Sequence, residues 1–186
     1  SFNSDMKKHG YFEVSIDPIY QFSVEQIQRR IDDTYEKVME SLLPNQDAFV
    51  WDSISSPEEL GQVRMAAMQK FLADFEQGKA EGRYRAEELP SLPFEDNEFE
   101  LALCSHFLFL YTDQLSLDFH RISITEMCRV AREVRIFPLL DLGGVRSRYA
   151  ETILTEFSEA GYTVTIEQVA YEFQRGGNQM MKIERN

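Results

Sequence analysis

Tyr11-Phe12-Glu13-Val14-Ser15-Ile16-Asp17-Pro18 is the stretch on which the reading of this chain turns. A short run of strand formers that closes on an acid and a proline predicts a strand with Asp17 at its carboxyl end. In a chain that alternates strands and helices, a carboxylate at that point is placed to accept hydrogen bonds from the hydroxyls of a nucleotide ribose. The strand and glycine-rich turn that cradle the rest of a nucleotide in such folds are then expected upstream of Ser1.

Working outward, the alternation continues. Residues 1–9 read as the tail of a helix closed by Gly10. Ser23 with Gln26 forms a capping-box pattern, and Val24, Ile27, Ile31, Tyr35, Val38 and Leu42 recur at helical spacing toward Pro44. Residues 45–83 read as a helical insertion, either a lid over a pocket or padding on one flank. Within it Ser56-Pro57-Glu58-Glu59 starts a helix that carries Leu60, Val63, Ala67, Met68, Phe71, Leu72 and Phe75 and ends before Gly78. A third strand is expected at Tyr84 to Glu87 and a fourth at Leu101 to Ser105. The helix Leu117 to Arg132, with Phe119, Ile122, Ile124, Met127 and Val130 inward, leads to a strand from Glu133 to Pro138. A helix from Ser147 to Ala160 and two strands, Tyr162 to Tyr171 and Asn178 to Glu184, complete the order. Strand and helix in this succession predict an α/β fold, here one domain over residues 1–186.

Composition bounds the function. The 186 residues are 43% hydrophobic, enough to bury one sizeable core. Lys and Arg number 19 against 32 Asp and Glu, and a net charge of −13 argues against a phosphate-backbone footprint, so nucleic acid is not an expected partner. Cys104 and Cys128 lie in apolar elements without metal-ligand spacing and read as buried free thiols of a cytoplasmic protein. The sequence has no apolar run of the roughly 18 residues that a membrane span needs.

Four landmarks then carry a resemblance to a family. They are the strand ending in Asp17, the segment Leu92-Pro93-Phe94-Glu95-Asp96-Asn97-Glu98-Phe99-Glu100, the strand Leu101 to Ser105, and the carboxyl-terminal strand pair. In this order the chain resembles a class I S-adenosylmethionine-dependent methyltransferase that begins after the glycine-rich first motif, with Glu100 where the family usually has Asp. The resemblance implies a Rossmann-like three-layer sandwich, mostly parallel with an antiparallel carboxyl-terminal strand, whose first central strand is missing. It implies that the gap is closed by direct pairing of the Val14 and Leu103 strands, by another segment, or by a second copy in a homodimer.

For the site, the resemblance implies S-adenosylmethionine as cofactor and no metal. Asp17 would hold the ribose, Pro18, Ile19 and Tyr20 would wall the adenine, Glu88 and Leu89 would contact its amino group, and Ser105 would line the cofactor. His106 follows as a general base or, alternatively, as a packing residue. The family's Asn-Pro-Pro-Tyr motif is absent, so the acceptor is read only as a small molecule. Arg175 and Asn178, in the connection Gln174-Arg175-Gly176-Gly177-Asn178-Gln179, would hold it together with Asp141 and Tyr171. The plain alternative for that connection is a glycine turn with solvated polar neighbours. Two other readings stand beside the enzyme: a non-catalytic methyltransferase-like binding protein, and a different nucleotide-binding module such as a dehydrogenase domain.

Overall fold

The computed structural model describes residues 2–185; Ser1, the first residue of the expected helix tail, lies outside the described residues. Residue contacts divide the chain into two compact units, one of residues 1–47 and 51–88 and one of residues 48–50 and 89–186.

The first unit holds α1 (Phe2–Lys8), β1 (Ser15–Ile16), α2 (Val24–Leu42), α3 (Pro57–Ala80) and β2 (Tyr84–Arg85). β1 and β2 pair in parallel, Ser15 with Tyr84 and Ile16 with Arg85. The expected strand of residues 11–16 is thus regular over its last two residues only. The capping box forms as read: Ser23 N–H donates to Gln26 Oε1 at 2.9 Å, and Gln26 N–H to Ser23 Oγ at 3.3 Å. Ser56 caps α3 through the Glu59 N–H at 3.2 Å.

Gly78 does not stop α3, which runs on to Ala80. Its lack of a side chain serves packing instead, because a Cβ there would lie 2.3 Å from Cε2 of the buried Tyr84. Tyr84 joins Tyr20, Phe71 and Phe75 in a cluster of rings whose centroids are 5.1 to 5.9 Å apart. Beside it the nearly buried Arg83 grips both oxygens of Asp74, at 2.7 and 2.9 Å, and Glu81 at 2.7 Å. Asn3 Nδ2 donates to the carbonyls of Glu13 and Arg83, which ties α1 to both strands.

The second unit holds β3 (Phe99–Ser105), α4 (Leu117–Val130), β4 (Ala131–Phe137), α5 (Ala150–Glu159), β5 (Tyr162–Gln168) and β6 (Gln179–Arg185). Its mixed sheet has the order β3-β4-β6-β5: β3 is parallel to β4, and β6 runs antiparallel to both neighbours. Val134, Ile183 and Val164 share one rung and Ile136, Met181 and Ile166 the next. Both rungs face α4 and α5 through Ile124, Met127, Ile153 and Phe157. The opposite face carries charges, with Lys182 Nζ 2.9 Å from Glu184 and Arg135 paired to Glu133.

The segment Leu92 to Glu100 turns the chain into β3. Arg129 on α4 donates to the carbonyls of Leu92 and Phe94 and to Asp96, and Leu92 N–H donates to Glu126. Ile122 departs from its expected inward position and is 55% exposed. The buried stripe of α4 is His120, Ser123, Ile124, Met127 and Cys128, and at 100° per residue Ile122 falls on the opposite side. The Val14 and Leu103 strands, whose direct pairing was one expectation, fall in separate sheets of different units. β1 belongs to the two-stranded sheet, and β3 ends the four-stranded one with Leu101 and Leu103 exposed. Among the described residues no helix is long and apolar enough to cross a membrane.

Two outcomes test this packing. Gly78→Ala should lower the urea midpoint, at a cost of about 1–3 kcal/mol for overpacking against a rigid ring; an unchanged midpoint would show that Tyr84 moves aside freely. For pH, the Arg83 guanidinium holds Asp74 below its ordinary 3.8, and Lys7 then Arg83 hold Glu81 down at about 2 from 4.5. Folded values below unfolded ones mean that the stabilisation is present above the ordinary values and is lost as the pH falls. The urea midpoint should therefore drop between about pH 5 and about pH 2, and Asp74→Asn with Glu81→Gln should flatten that dependence.

Candidate functional site at the carboxyl edge of the sheet

In the second unit, the carboxyl ends of β3 and β4 and the connection between β5 and β6 come together through backbone and side-chain bonds. The His106 N–H donates to the Phe137 carbonyl at 2.6 Å, so the ladder runs one residue beyond β3. Leu142 N–H donates to the Leu110 carbonyl at 3.0 Å, and Gln174 Nε2 to the Asp141 carbonyl at 3.2 Å. Three loops, following β3, β4 and β5, thereby ring the strand ends, the place where open α/β sheets bind ligands.

His106 is the unusual residue of this edge. Its φ is +56°, the left-handed region that favours glycine, and such strain in a side-chain-bearing residue accumulates at working sites. Its Nδ1 lies 2.8 Å from Ser105 Oγ, so one ring nitrogen is oriented by the neighbouring hydroxyl. Its ring meets Phe137 edge to face at 5.5 Å, and Phe137 meets Tyr171 in the same manner at 6.0 Å.

The residues expected at the acceptor are partly committed to holding the loops. Asp141 Oδ1 accepts from the Gly143 and Val145 N–H groups at 2.9 and 3.0 Å, which closes its own turn. Asn178 Nδ2 donates to Glu172 Oε2 at 2.8 Å, and Gly176 N–H donates to Glu172 Oε1 at 2.7 Å. Arg175 donates from its backbone to the Ala48 carbonyl and from Nη2 to the Phe49 carbonyl, where Phe49 stacks on Phe173 at 4.9 Å. Residues 48–50, part of the expected insertion, thus lie alongside residues 173–175 in this unit. Tyr171 is 51% exposed. Phe137 and Glu172 escaped the sequence reading, although Phe137-Pro138 at a strand end and the acid two residues before Gln174 were the available signals.

The residues expected at the cofactor are described within their own units. Asp17 is exposed, and its Oδ1 caps the 3₁₀ turn Pro18–Gln21 by accepting from Ile19 N–H at 2.9 Å. Pro18 is exposed, whereas Ile19 packs on the core of Ile27, Phe75 and Tyr84. Burial, reinforced by Asp17, pushes the Tyr20 hydroxyl up to about 12. Glu88 is exposed at the end of the first unit, and Leu89 packs on the core of the second. Cys104 and Cys128 are free and buried, and burial pushes their thiols to about 11 and about 12, which makes them poor nucleophiles.

Fold and edge together define an α/β protein with a mixed sheet and a loop-ringed carboxyl edge. No family model matches the chain. The uncharacterized protein MJ0045 of Methanocaldococcus jannaschii is 34% identical over 188 residues, a match that takes in 100% of this chain and 81% of that protein. The chain belongs to the family of that protein. No solved structure matches it.

The left-handed backbone at His106 has a measurable consequence. His106→Gly should be more stable than His106→Ala by about 1 kcal/mol, because both remove the ring and only glycine relieves the backbone. Equal urea midpoints for the two variants would show that the backbone there relaxes once the imidazole is gone.

Proposed function

We propose that the protein is an S-adenosylmethionine-dependent methyltransferase, or a portion of one, acting on a small-molecule acceptor. The observation that supports this most is the order β3-β4-β6-β5, in which the carboxyl-terminal strand runs antiparallel between two mutually parallel neighbours. The resemblance stated for the sequence implies such a terminal strand. The Rossmann-like three-layer sandwich is part of this proposal. So is a further parallel strand on β3, supplied by another segment or by a second copy, beside the exposed Leu101 and Leu103.

Among the described residues Asp17 suits the cofactor's ribose in part, because one carboxylate oxygen is used by the Ile19 cap and the side chain is exposed. Ile19 suits an adenine wall less well, since it is packed into a core. The cofactor supplies an electrophilic methyl group on a sulfonium, and the protein's task is alignment and exclusion of water. Ser105 and His106 orient the acceptor. His106, whose Nδ1 lies 2.8 Å from Ser105 Oγ, is the general base of this reading. The free, buried thiols suit a reducing compartment, the cytoplasm.

A second reading, a non-catalytic binding protein of the same fold, draws support from the capping role of Asp17, which accounts for that acid without any ligand.

Calorimetry with S-adenosylmethionine on the protein at its natural length separates the two. Binding is expected, and Asp17→Asn, which keeps an oxygen for the Ile19 cap, should weaken it at least roughly tenfold by removing a hydrogen bond to a charged group. Absence of binding would sink the methyltransferase reading, and binding indifferent to Asp17→Asn would remove Asp17 from the site.

A further inference from the structure

His120 on α4 is a fully buried imidazole, and both of its ring nitrogens lie against carbonyl oxygens. Nδ1 is 2.8 Å from the Ser116 carbonyl at the start of its own helix, and Nε2 is 3.0 Å from the Leu108 carbonyl in the loop that follows β3. A carbonyl oxygen only accepts, so each contact needs an N–H on the ring, and a neutral imidazole has one. A bare nitrogen at either distance would set its lone pair against those of the oxygen. Both bonds are therefore made together only by the imidazolium. Phe109 and Tyr149 place their ring centroids 5.5 and 5.1 Å from that of His120, within reach of a cation–π attraction. Burial and the amino-terminal turn of α4 oppose the charge, which leaves the second proton open to loss. The other ionisable groups on the surrounding elements are engaged: Arg121 pairs with Asp118 and Glu156, Arg148 pairs with Asp113, and burial pushes the Cys104 thiol, bonded to the Leu108 backbone, up to about 11.

We propose that His120 is a proton-operated latch behind the carboxyl edge of the sheet. With two protons the ring ties α4 to the loop after β3. The contact with Ser116 is fixed inside one helix, so when a proton leaves, the remaining one stays on Nδ1 and the Leu108 carbonyl loses its imidazole donor. That carbonyl keeps only a shared Tyr111 N–H at 3.2 Å, and the loop moves to relieve the repulsion. Leu110, two residues on, accepts from the Leu142 N–H at 3.0 Å, so the movement passes to the loop after β4 and changes the shape of the edge. The latch goes beyond the methyl-transfer reading, and it acts on this edge whatever ligand the edge takes.

Heteronuclear NMR of the imidazole nitrogens and of the backbone amides tests it on the protein at its natural length, between about pH 5 and about pH 9, the range in which histidine charge changes are sought. At the acid end both ring nitrogens of His120 should carry the shifts of an imidazolium. As the pH rises Nε2 alone should lose its proton, and the amides of Leu108 to Thr112 and of Leu142 should move with the same midpoint. His106→Gln, which removes the neighbouring imidazole, should retain this step, and His120→Gln should abolish it. Should His120→Gln not fold, agreement between the ring and amide midpoints in His106→Gln decides the matter. A His120 ring that holds one proton at every pH, a ring that keeps both throughout, a proton lost without movement of these amides, or an amide step that vanishes in His106→Gln would each overturn the proposal.

Discussion

The second unit depends on the placing of β6. The strand enters antiparallel between β4 and β5, and its Met181 and Ile183 complete both apolar rungs of the sheet. Without it β4 and β5 have no backbone partner in common, and the surfaces that α4 and α5 cover are not brought side by side. Since both crossovers leave their helices on one face, the other face is free to carry the Glu133, Arg135, Lys182 and Glu184 charges. The contribution is non-local: residues 179–185 pair with residues far earlier in the chain, so the sheet closes only when the last of these elements is in place.

That constraint also determines where the candidate site lies. Antiparallel insertion brings the start of β6, and with it the glycine connection, to the same edge as the carboxyl ends of β3 and β4. The loops there are joined by the His106 and Leu142 amides and by the side-chain amide of Gln174. The strained backbone of His106 is held by the Phe137 carbonyl on one side and the packed Leu108 and Phe109 that follow it. A residue in this conformation persists only because its surroundings over-determine it.

The first unit is organised around a different device. Arg83, nearly buried, carries Asp74, Glu81 and Asn3 at its guanidinium, and the strands pair where that residue enters β2. A buried cation with its oxygens supplied is a strong constraint when intact and a heavy penalty when one partner is removed. Lys7 on α1 reaches Glu81 at 2.7 Å, which links the short first helix to the same group.

Local signals were legible in the sequence and survive in the structure. The Ser23–Gln26 and Ser56–Glu59 caps, the helical spacing along α2 and α4, and the succession of strands and helices all follow from bonds between neighbours or from a period of 3.6 residues. What the sequence left undecided was what depends on distant residues. Gly78 read as a helix stop because glycine usually marks one, yet it admits the Tyr84 ring. Ile122 read as core because apolar residues usually are, yet the stripe that α4 buries runs through His120 and Ser123. Asp141, Arg175 and Asn178 read as ligand groups from their place in the order, and only the folded loops bring them to the amides, the carbonyl and the carboxylate that they respectively hold. The left-handed backbone of His106 has no local signature, because the pairing of β3 with β4 and the packing beyond it impose that conformation. The sequence by itself thus determined the elements and their class. Strand order, the edge on which the site lies and the side chains free to work there were decided by tertiary structure, since each depends on contacts between residues that the sequence keeps far apart.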